Sequence, residues 1–277
     1  MRNRVVDGIH PTAVVDRTAR LAEDVEVGPF CVIGADVVLG PGCRLLHSVS
    51  IMGNTVCGRD NVFYPFSVIG APAQDLKSVS ADTRLVIGDR NVFREFVTLH
   101  RGTEQHGGVT TIGDDCFLMA YVHIAHDCVV EDGVVMANGV QVGGHCLIER
   151  HARFGGLAAM HHFATVGRHA FVGGLTRVVR DVPPFMIVEG NPARVRCVNT
   201  VGLRRHGFAA ASVSSLREAH RILFRQRQPL SQAMDALKDG IDSDEHVRYL
   251  MEFMRRTMSS GSGRARENTR CGTNRES

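Results

Sequence analysis

A six-residue repeat runs through about two thirds of this 277-residue chain and constrains its fold more than any other feature. It begins at Ile9 with the hexads IHPTAV, VDRTAR, LAEDVE and VGPFCV, and from Ile112 to Pro183 it continues without a break. There are about 26 such hexads, and a repeat of this length is typical of a parallel β-helix.

The composition of the hexad explains the fold. The first position is nearly always a large apolar residue, such as Val27 or Ile33, and the fifth is small, such as Cys31 or Cys128. A chain that turns every six residues points one large and one small side chain inward on each face. Three faces then close a coil of about 18 residues, and coils stack about 4.8 Å apart. Glycine at the second position, as in Gly28, predicts corners with unusual backbone angles.

The repeat also defines the expected domains. It breaks twice, at DLKSVSADTRLV and at QHGGVTT, and the Pro183–Pro184 pair ends it because paired prolines cannot continue a ladder. We therefore predict a mainly β protein organised as a lead-in at 1–8, a β-helix at 9–187 with loops near 75–86 and 105–111, a C-terminal helical domain at 188–258 and a disordered tail at 259–277.

The period of the sequence becomes helical after about residue 200. We predict that Ser212 caps a first helix, that Pro229 begins a second one ending at Gly240, and that Ser243 caps a third. The residues after Ser259 are rich in Ser, Gly, Arg and Asn, a composition typical of disorder.

Charge and cysteine content exclude several classes of protein. A net charge of +3 is too small to indicate nucleic-acid binding. A cluster of arginines late in the chain indicates either a solvated surface or a dock for an acidic partner. Most cysteines fall on the inward fifth position, no CxxC occurs, and no run of 18 apolar residues is present. We therefore expect a cytoplasmic protein with reduced thiols and no transmembrane segment.

Histidine is the residue type that suggests chemistry. The chain has 14 histidines, and several of them concentrate in the uninterrupted repeat, among them His123, His126, His145, His161 and His162. The positions of His126 and His162 differ by 36, and those of Asp127 and His145 by 18, so whole coils separate them. The spacing predicts a polar patch on one edge of the β-helix. A histidine beside a carboxylate is suited to act as a general base at neutral pH.

Two further interpretations of these histidines stay open. The first is that they are ordinary surface residues of a regular repeat. The second is a zinc site, because three histidines can bind zinc between subunits of a hexapeptide-repeat enzyme.

Several motifs resemble one family of hexapeptide-repeat enzymes. QDLK lies at 74–77, HRGT at 100–103 and HIAHDC at 123–128, and GGxxAxHxF and VNxxGLxRxGF follow at 155–163 and 198–208. In combination these motifs resemble the UDP-N-acetylglucosamine O-acyltransferases of lipid A biosynthesis, over about residues 9–258.

The resemblance implies a homotrimer of left-handed β-helices with a C-terminal helical domain. It implies transfer of an (R)-3-hydroxyacyl chain from acyl carrier protein to the 3-hydroxyl of UDP-N-acetylglucosamine, the first step of lipid A biosynthesis. It implies no metal and no cofactor other than the phosphopantetheine of the carrier protein.

The resemblance also implies roles for individual residues. His126 would be the general base, Asp127 would orient it, and the N–H of Gly144 would face the developing oxyanion. Residues expected in or near the cleft for the sugar and diphosphate are Asp75, Lys77, His100, His123, His145, His161 and His162. Asn199 and Arg205 would reach the nucleotide or the phosphopantetheine, and Gly174 would influence acyl-chain length.

Some residues depart from the family pattern. His162, Val201 and His206 stand where the family commonly has Gln, Glu and Arg. A 3-amino UDP-sugar acceptor, which would give an amide, therefore stays open beside UDP-N-acetylglucosamine. So do the related N-acyltransferase of the same pathway, a zinc-dependent hydratase with the same repeat, and a non-catalytic scaffold.

Overall fold

The chain forms a left-handed parallel β-helix followed by a small helical domain. The computed structural model describes residues 8–78, 82–226, 229–238, 244–260 and 263. Three mainly parallel sheets form the faces of a triangular prism, and up to the last coil each strand pairs with the strand three places further along the chain. The predicted three-faced coil is therefore confirmed.

The three sheets contain short strands, mostly of two residues. The first sheet contains Val14–Val15, Val32–Ile33, Ser50–Ile51, Val68–Ala71, Thr98–His100, His123–Ile124, Gln141–Val142, Ala159–Met160 and Arg177–Val178. The second contains Arg20–Leu21, Val38–Leu39, Thr55–Cys57, Arg84–Ile87, Val109–Ile112, Val129–Val130, Leu147–Ile148 and Thr165–Val166. The third contains Glu26–Val27, Arg44–Leu45, Val62–Phe63, Val92–Phe93, Phe117–Leu118, Val135–Met136, Arg153–Phe154, Phe171–Val172, Met186–Glu189 and Arg194–Val198.

The interior of the prism is filled by the first and fifth positions of the hexads, as predicted. Val27 and Ile33 are fully buried, and the small residues Cys31 and Cys128 lie in the same continuous core. These cysteines are buried free thiols. Stacked apolar layers of this kind leave the third and fourth positions of each hexad at the prism edges.

The role predicted for glycine at the second position of the hexad is wrong. Left-handed backbone angles occur instead at the fourth position, for example at Phe30 (φ 59°) and Asp127 (φ 57°). Second-position glycines allow neighbouring coils to approach closely. A Cβ atom on Gly40 would lie 2.6 Å from the carbonyl oxygen of Gly58 in the next coil.

Two insertions leave the prism at a single edge, between the first and second sheets. One follows strand Val68–Ala71, and the other, after Thr98–His100, contains the short 3₁₀-helix Glu104–His106. A hydrogen bond of 2.9 Å from Ser78 Oγ to Glu104 Oε2 joins the two insertions. Both insertions therefore lie at the edge that carries His126.

Strand structure continues beyond the predicted boundary at residue 188. Met186–Glu189 adds a last parallel strand to the third sheet, and Arg194–Val198 folds back antiparallel to it. The described part of the chain then forms four α-helices: α1 (Thr200–Arg205), α2 (Ala210–His220), α3 (Leu230–Lys238) and α4 (Glu245–Ser260), with a π-helical turn at Arg221–Arg225 after α2.

One predicted helix start agrees with the structure, since α3 begins directly after Pro229, whose carbonyl accepts from Ala233 N–H, but the start of α2 differs. Ser212 lies inside α2, which begins at Ala210 after the N-cap residue Ala209. At the start of α4, Asp244 accepts hydrogen bonds from the backbone N–H groups of His246 and Val247. The predicted cap Ser243 and the predicted stop Gly240 lie outside the described residues, as does most of the predicted disordered tail.

Apolar contacts and one polar cluster join the helices to the prism. Phe185 and Leu250 belong to a second apolar core shared by the end of the prism and the helices. Tyr249 donates a 2.7 Å hydrogen bond to Glu149, and the guanidinium of Arg168 lies 3.5 Å above the Tyr249 ring. None of the helices in the described part of the chain has the length and apolar character that a membrane crossing requires.

Candidate active site

Three successive turns stack at the edge between the first and second sheets, which we call the histidine edge. They place His126–Asp127, Gly144–His145 and His162–Phe163 at the third and fourth hexad positions of consecutive coils. The ring of His145 lies flat on Phe163, with centroids 4.4 Å apart, and perpendicular to His126 at 5.0 Å. The predicted patch therefore exists as a packed column.

His126 and Asp127 form a hydrogen-bonded pair. His126 Nδ1 lies 2.8 Å from Asp127 Oδ2, and His145 Nδ1 lies 3.7 Å from the same oxygen. The side chain of Asp127 is only 3% exposed, so the carboxylate has little contact with solvent. A carboxylate partner requires the proton on Nδ1 of His126, which leaves the lone pair of Nε2 able to accept a proton.

Thr103 binds the other side of this carboxylate. Its backbone N–H donates to Asp127 Oδ1 at 2.9 Å and its hydroxyl donates to Oδ2 at 2.7 Å. Burial by itself would raise the pKa of Asp127, but the hydrogen bonds from His126 and Thr103 outweigh it and hold the pKa below its ordinary value. Asp127 is therefore an anion at neutral pH, as a group that orients an imidazole should be.

The backbone N–H of Gly144 differs from equivalent groups on the edge between the second and third sheets. There, the backbone N–H at the third hexad position donates to a side-chain carboxylate of a neighbouring coil. The backbone N–H of Asp114 donates to Asp132 in the next coil, and that of Arg168 donates to Glu149 in the preceding coil. The described residues supply no such acceptor for Gly144. This N–H is thus available to an oxyanion.

Gly144 also allows His126 to lie where it does. A Cβ atom on Gly144 would be 2.7 Å from Cε1 of the His126 ring. Any larger residue would displace the ring, so the absence of a side chain is a condition for this geometry.

An open groove runs over the outer face of the first sheet beside the histidine edge. Its volume is about 340 Å³, and its lining includes Gln74, His123, His126, Gln141, Gly144 and His162. The described residues of the single chain do not close the groove over on its outer side. The site therefore presents the His126 imidazole and a backbone N–H donor to an open groove.

Several more of the predicted site residues lie near this groove. His100 is buried and its ring is 5.0 Å from that of His123, while burial and the nearby His123 lower the pKa of His100 to about 4. The rings of His161 and His162 are 4.6 Å apart. Asp75 and Lys77 lie in the first insertion, next to Gln74, where the Lys77 N–H donates to the Asp75 carboxylate.

A single chain does not bring the remaining predicted residues to the groove. Asn199 and Arg205 line a separate pocket with Arg153 on the outer face of the third sheet, opposite the histidine edge. The Asn199 side chain also caps α1, accepting from Gly202 N–H and donating to the carbonyl of His169. Gly174 lies on the third edge of the prism, between the third and first sheets, against Gly156 of the preceding coil.

The same place offers potential metal ligands. Among the described residues, the ligand atoms of His126, Asp127 and His145 lie within 4.8 Å of one another. However, Asp127 Oδ2 already accepts hydrogen bonds from His126 and Thr103. The geometry thus favours a hydrogen-bonded base over a metal ligand set.

Sequence reasoning missed two features of the molecule. Thr103 lies in the quoted HRGT motif, but the insertion beside it breaks the register that would have placed it next to Asp127. His151 and His169 lie one coil apart and form a second pair of neighbouring rings, tilted by 31° with centroids 4.9 Å apart. The arithmetic that paired Asp127 with His145 would have found this second pair.

These features define the class of the protein: a hexapeptide-repeat transferase with a histidine–carboxylate pair on a prism edge. A sequence profile for bacterial transferase hexapeptides matches residues 110–144. A profile described as UDP-N-acetylglucosamine O-acyltransferase, domain 2, matches residues 181–264.

The comparison with whole proteins is more specific. An acyl-[acyl-carrier-protein]–UDP-N-acetylglucosamine O-acyltransferase from Paraburkholderia phymatum is 42% identical over 89% of this chain and 95% of the relative. One from Verminephrobacter eiseniae is 47% identical over 84% of this chain and 89% of the relative. The chain belongs to this acyltransferase family.

Solved structures agree with this assignment. LpxA from Acinetobacter baumannii is 37% identical, with a TM-score of 0.87 over 90% of this chain and 97% of that one. The UDP-N-acetylglucosamine acyltransferase of Arabidopsis is 32% identical, with a TM-score of 0.82 over 91% of this chain and 98% of that one.

Proposed function

We propose that this protein transfers an (R)-3-hydroxyacyl chain from acyl carrier protein to the 3-hydroxyl of UDP-N-acetylglucosamine, the first step of lipid A biosynthesis. The observation that carries the proposal is the His126–Asp127 pair beside an open groove, with the N–H of Gly144 next to it. Thioester acyl transfer requires these parts: a base, a positioned hydroxyl and an oxyanion donor.

In the proposed mechanism, Nε2 of His126 removes the proton of the sugar hydroxyl as its oxygen attacks the thioester carbonyl carbon. The resulting oxyanion accepts a hydrogen bond from Gly144 N–H. When the carbon–sulfur bond breaks, the imidazolium of His126 returns the proton to the departing phosphopantetheine thiolate. Asp127 stabilises the imidazolium throughout and holds its ring in place. No metal or further cofactor takes part in these steps.

The proposal includes a homotrimer with its clefts between subunits. In one chain, the described residues leave the groove beside His126 open, and Asn199 and Arg205 lie on the opposite side of the prism. In the proposed trimer, a second copy brings the two groups of residues together. The edge between the third and first sheets exposes stacked aromatic rings of Phe66, Phe96 and Tyr121, which suits an interface between copies.

Binding roles follow from this arrangement. The residues that would bind the sugar and diphosphate are His123, His145, His161 and His162, with Asp75 and Lys77 from the first insertion. His100 would support His123 from below. Asn199 and Arg205 would bind the nucleotide or the phosphopantetheine from the neighbouring copy, and Gly174 would leave room for a long acyl chain.

The proposed location is the cytoplasm. The described part of the chain contains seven free cysteines, of which all but Cys197 are buried. Reduced thiols in this number agree with a reducing compartment.

The test is an assay of the purified protein with UDP-N-acetylglucosamine and 3-hydroxyacyl carrier proteins of several chain lengths, with products read by mass spectrometry. We expect an ester-linked acyl sugar nucleotide. A UDP-3-amino sugar in a parallel reaction tests the amide-forming alternative. Zinc measured by elemental analysis tests the hydratase alternative, and failure to acylate either sugar with any donor would contradict the proposal.

A further inference from the structure

Thr103 makes two contacts that hold the outer side of the Asp127 carboxylate. Its N–H and its hydroxyl donate to different oxygens of that group, at 2.9 and 2.7 Å. Its side chain lies in the interior, since Thr103 is 2% exposed. Hydrogen bonds from a hydroxyl to a carboxylate are among the stronger ones in proteins, and this pair fixes the carboxylate in two directions.

The second insertion is what brings Thr103 to this position. Thr98 pairs with His123 in the next coil at a sequence separation of 25, whereas the separation across a regular coil is 18, as from Asp114 to Asp132. The coil beneath His126 therefore carries seven extra residues, and Thr103 is on this segment. A regular coil would have no side chain over Asp127 from this direction.

The backbone around Thr103 is shaped to the carboxylate. A Cβ atom on the preceding residue, Gly102, would lie 2.8 Å from Asp127 Oδ1 and would collide with the backbone of Gly108 and Val109. The carbonyl of Thr103 accepts from Gly108 N–H at 3.0 Å, which closes the insertion on itself.

The strand that follows the insertion completes this support. The hydroxyl of Thr110 accepts from the backbone N–H of Asp127 at 2.8 Å. Asp127 is thus held at its side chain by Thr103 and at its backbone by Thr110.

The orientation of Asp127 decides which nitrogen of His126 carries a proton. Asp127 Oδ2 accepts from His126 Nδ1 at 2.8 Å, and this hydrogen bond exists only while the carboxylate faces the ring. His145 Nδ1 lies 3.7 Å from the same oxygen. A carboxylate turned toward His145 would lose its hydrogen bond to His126 and would no longer determine which nitrogen of His126 carries the proton. Thr103 opposes that rotation.

We propose that Thr103 is a positioning residue for acyl transfer, holding the Asp127 carboxylate so that His126 keeps its proton on Nδ1 and accepts the substrate proton on Nε2. This inference rests on the proposed function. Thr103 does not belong to the described lining of the groove, so it acts through Asp127.

Loss of the Thr103 hydroxyl is expected to shift the profile of kcat/KM against pH in one direction. Without this donor, the Asp127 carboxylate is free to turn toward His145, and the imidazolium that forms during the reaction loses part of its charge partner. The acid side of the profile of kcat/KM against pH then moves to lower pH. Among the described residues, the other titratable groups that lie near the pair are His100, His123, His145 and His162, while Arg101 and Glu104 flank Thr103 on the insertion; the substitution leaves all of them in place.

The experiment compares Thr103→Val, which removes the hydroxyl at nearly constant volume, with Thr103→Ser, which retains it. We expect Thr103→Val to lower kcat roughly 10- to 100-fold, the usual scale for a residue that orients a functional group through one intermediate. We expect KM for the sugar nucleotide to change by less than about threefold and the acid limb to move to lower pH. Thr103→Ser is expected to retain both the rate and the acid limb of the wild type.

Thr55→Val is the matched control for structural effects. Thr55 is fully buried in the second sheet, and its hydroxyl donates to the carbonyl of Met52, several coils before His126. This variant is expected to lose thermal stability without a change in kcat or in the acid limb. If Thr103→Val does not fold, Thr103→Cys, a weaker donor of similar size, is expected to give an intermediate rate.

The outcomes separate this inference from the proposed function. A wild type that gives no acyl transfer overturns both. An active wild type with a Thr103→Val rate within twofold, or a Thr103→Val loss with an unmoved acid limb, overturns the inference alone. A Thr103→Cys rate equal to that of Thr103→Ser would do the same.

Discussion

Histidines stack along two edges of this prism, but their surroundings differ. On the histidine edge, His126 and His145 both face the buried carboxylate of Asp127, and a groove opens beside them. On the edge between the second and third sheets, which the helices cover, His169 is packed between His151 and His206. The same one-coil spacing thus produces two different local environments.

Burial without a charged partner makes His169 unsuited to proton transfer. No carboxylate forms an ion pair with His169 in the part of the chain described, and its Nδ1 atom is buried without a hydrogen bond. Burial, together with the neighbouring His151 and His206, lowers the pKa of His169 to about 3. A column of imidazoles is therefore not a site by itself. The carboxylate and the open groove are what make the histidine edge suited to proton transfer.

The largest expected effect on kcat distinguishes His126 on the histidine edge from His169 on the other edge. His126→Ala is expected to lower kcat by at least ~100-fold, the usual scale for a lost general base. Because Asp127 keeps its bonds from Thr103, the melting temperature should change by only a few degrees. His169→Leu should show the reverse pattern, with reduced thermal stability and nearly normal kcat at low temperature. Equal rates for wild type and His126→Ala would remove His126 from the base role.

A smaller loss of kcat is expected when the His126 ring is displaced rather than removed. Gly144→Ala would place a methyl group 2.7 Å from Cε1 of His126, so the ring must move. We expect kcat to fall about 10- to 100-fold, since misplacement by about 1 Å has this cost. The matched control is Gly156→Ala, at the equivalent third hexad position on another edge, where the nearest atom would be 3.4 Å away. Similar losses in both variants would contradict the proposed crowding of His126.

The smallest effect concerns stability at acid pH. The folded pKa of His169 is about 3 against an ordinary value of 6.5, so between these values the unfolded chain binds a proton that the folded chain does not. The free energy of unfolding should therefore fall as pH falls from about 6.5 toward 3. His100, whose pKa is lowered to about 4, contributes with the same sign.

Denaturant titrations at several pH values test this prediction. His169→Leu is expected to flatten the pH dependence in part, because only one of the two groups is removed. Leucine already occupies the same left-handed backbone position at Leu157 and Leu175, so the substitution is compatible with the turn. An unchanged slope in this variant would show that His169 protonation does not oppose folding.

Much of the fold was predictable because every coil repeats the same local pattern of inward-facing residues. The inward placement of Cys31 and Cys128 follows from position in the hexad alone. The prediction for the second-position glycines was wrong, since their function depends on the distance to the next coil rather than on their own backbone angles. The start of α2 was misplaced at Ser212, because helix caps depend on which N–H groups a fold leaves without partners.

The candidate site was predictable only where the register is unbroken. Asp127 and His145 are neighbours because they lie exactly one coil apart, and their positions in the sequence were enough to show it. Thr103 was not predictable in this way, since the second insertion shifts it out of that register. The position of Asn199 and Arg205, on the face opposite His126, depends on how the helices fold back over the third sheet.

The sequence by itself determined the prism, its inward residues and the column of histidines, because a strict period converts residue number into position. The tertiary structure alone decided which column has a buried carboxylate, an open groove and a hydroxyl that fixes that carboxylate. The physical reason is that insertions and docked helices set solvent access and hydrogen bonding, and these depend on contacts between distant parts of the chain.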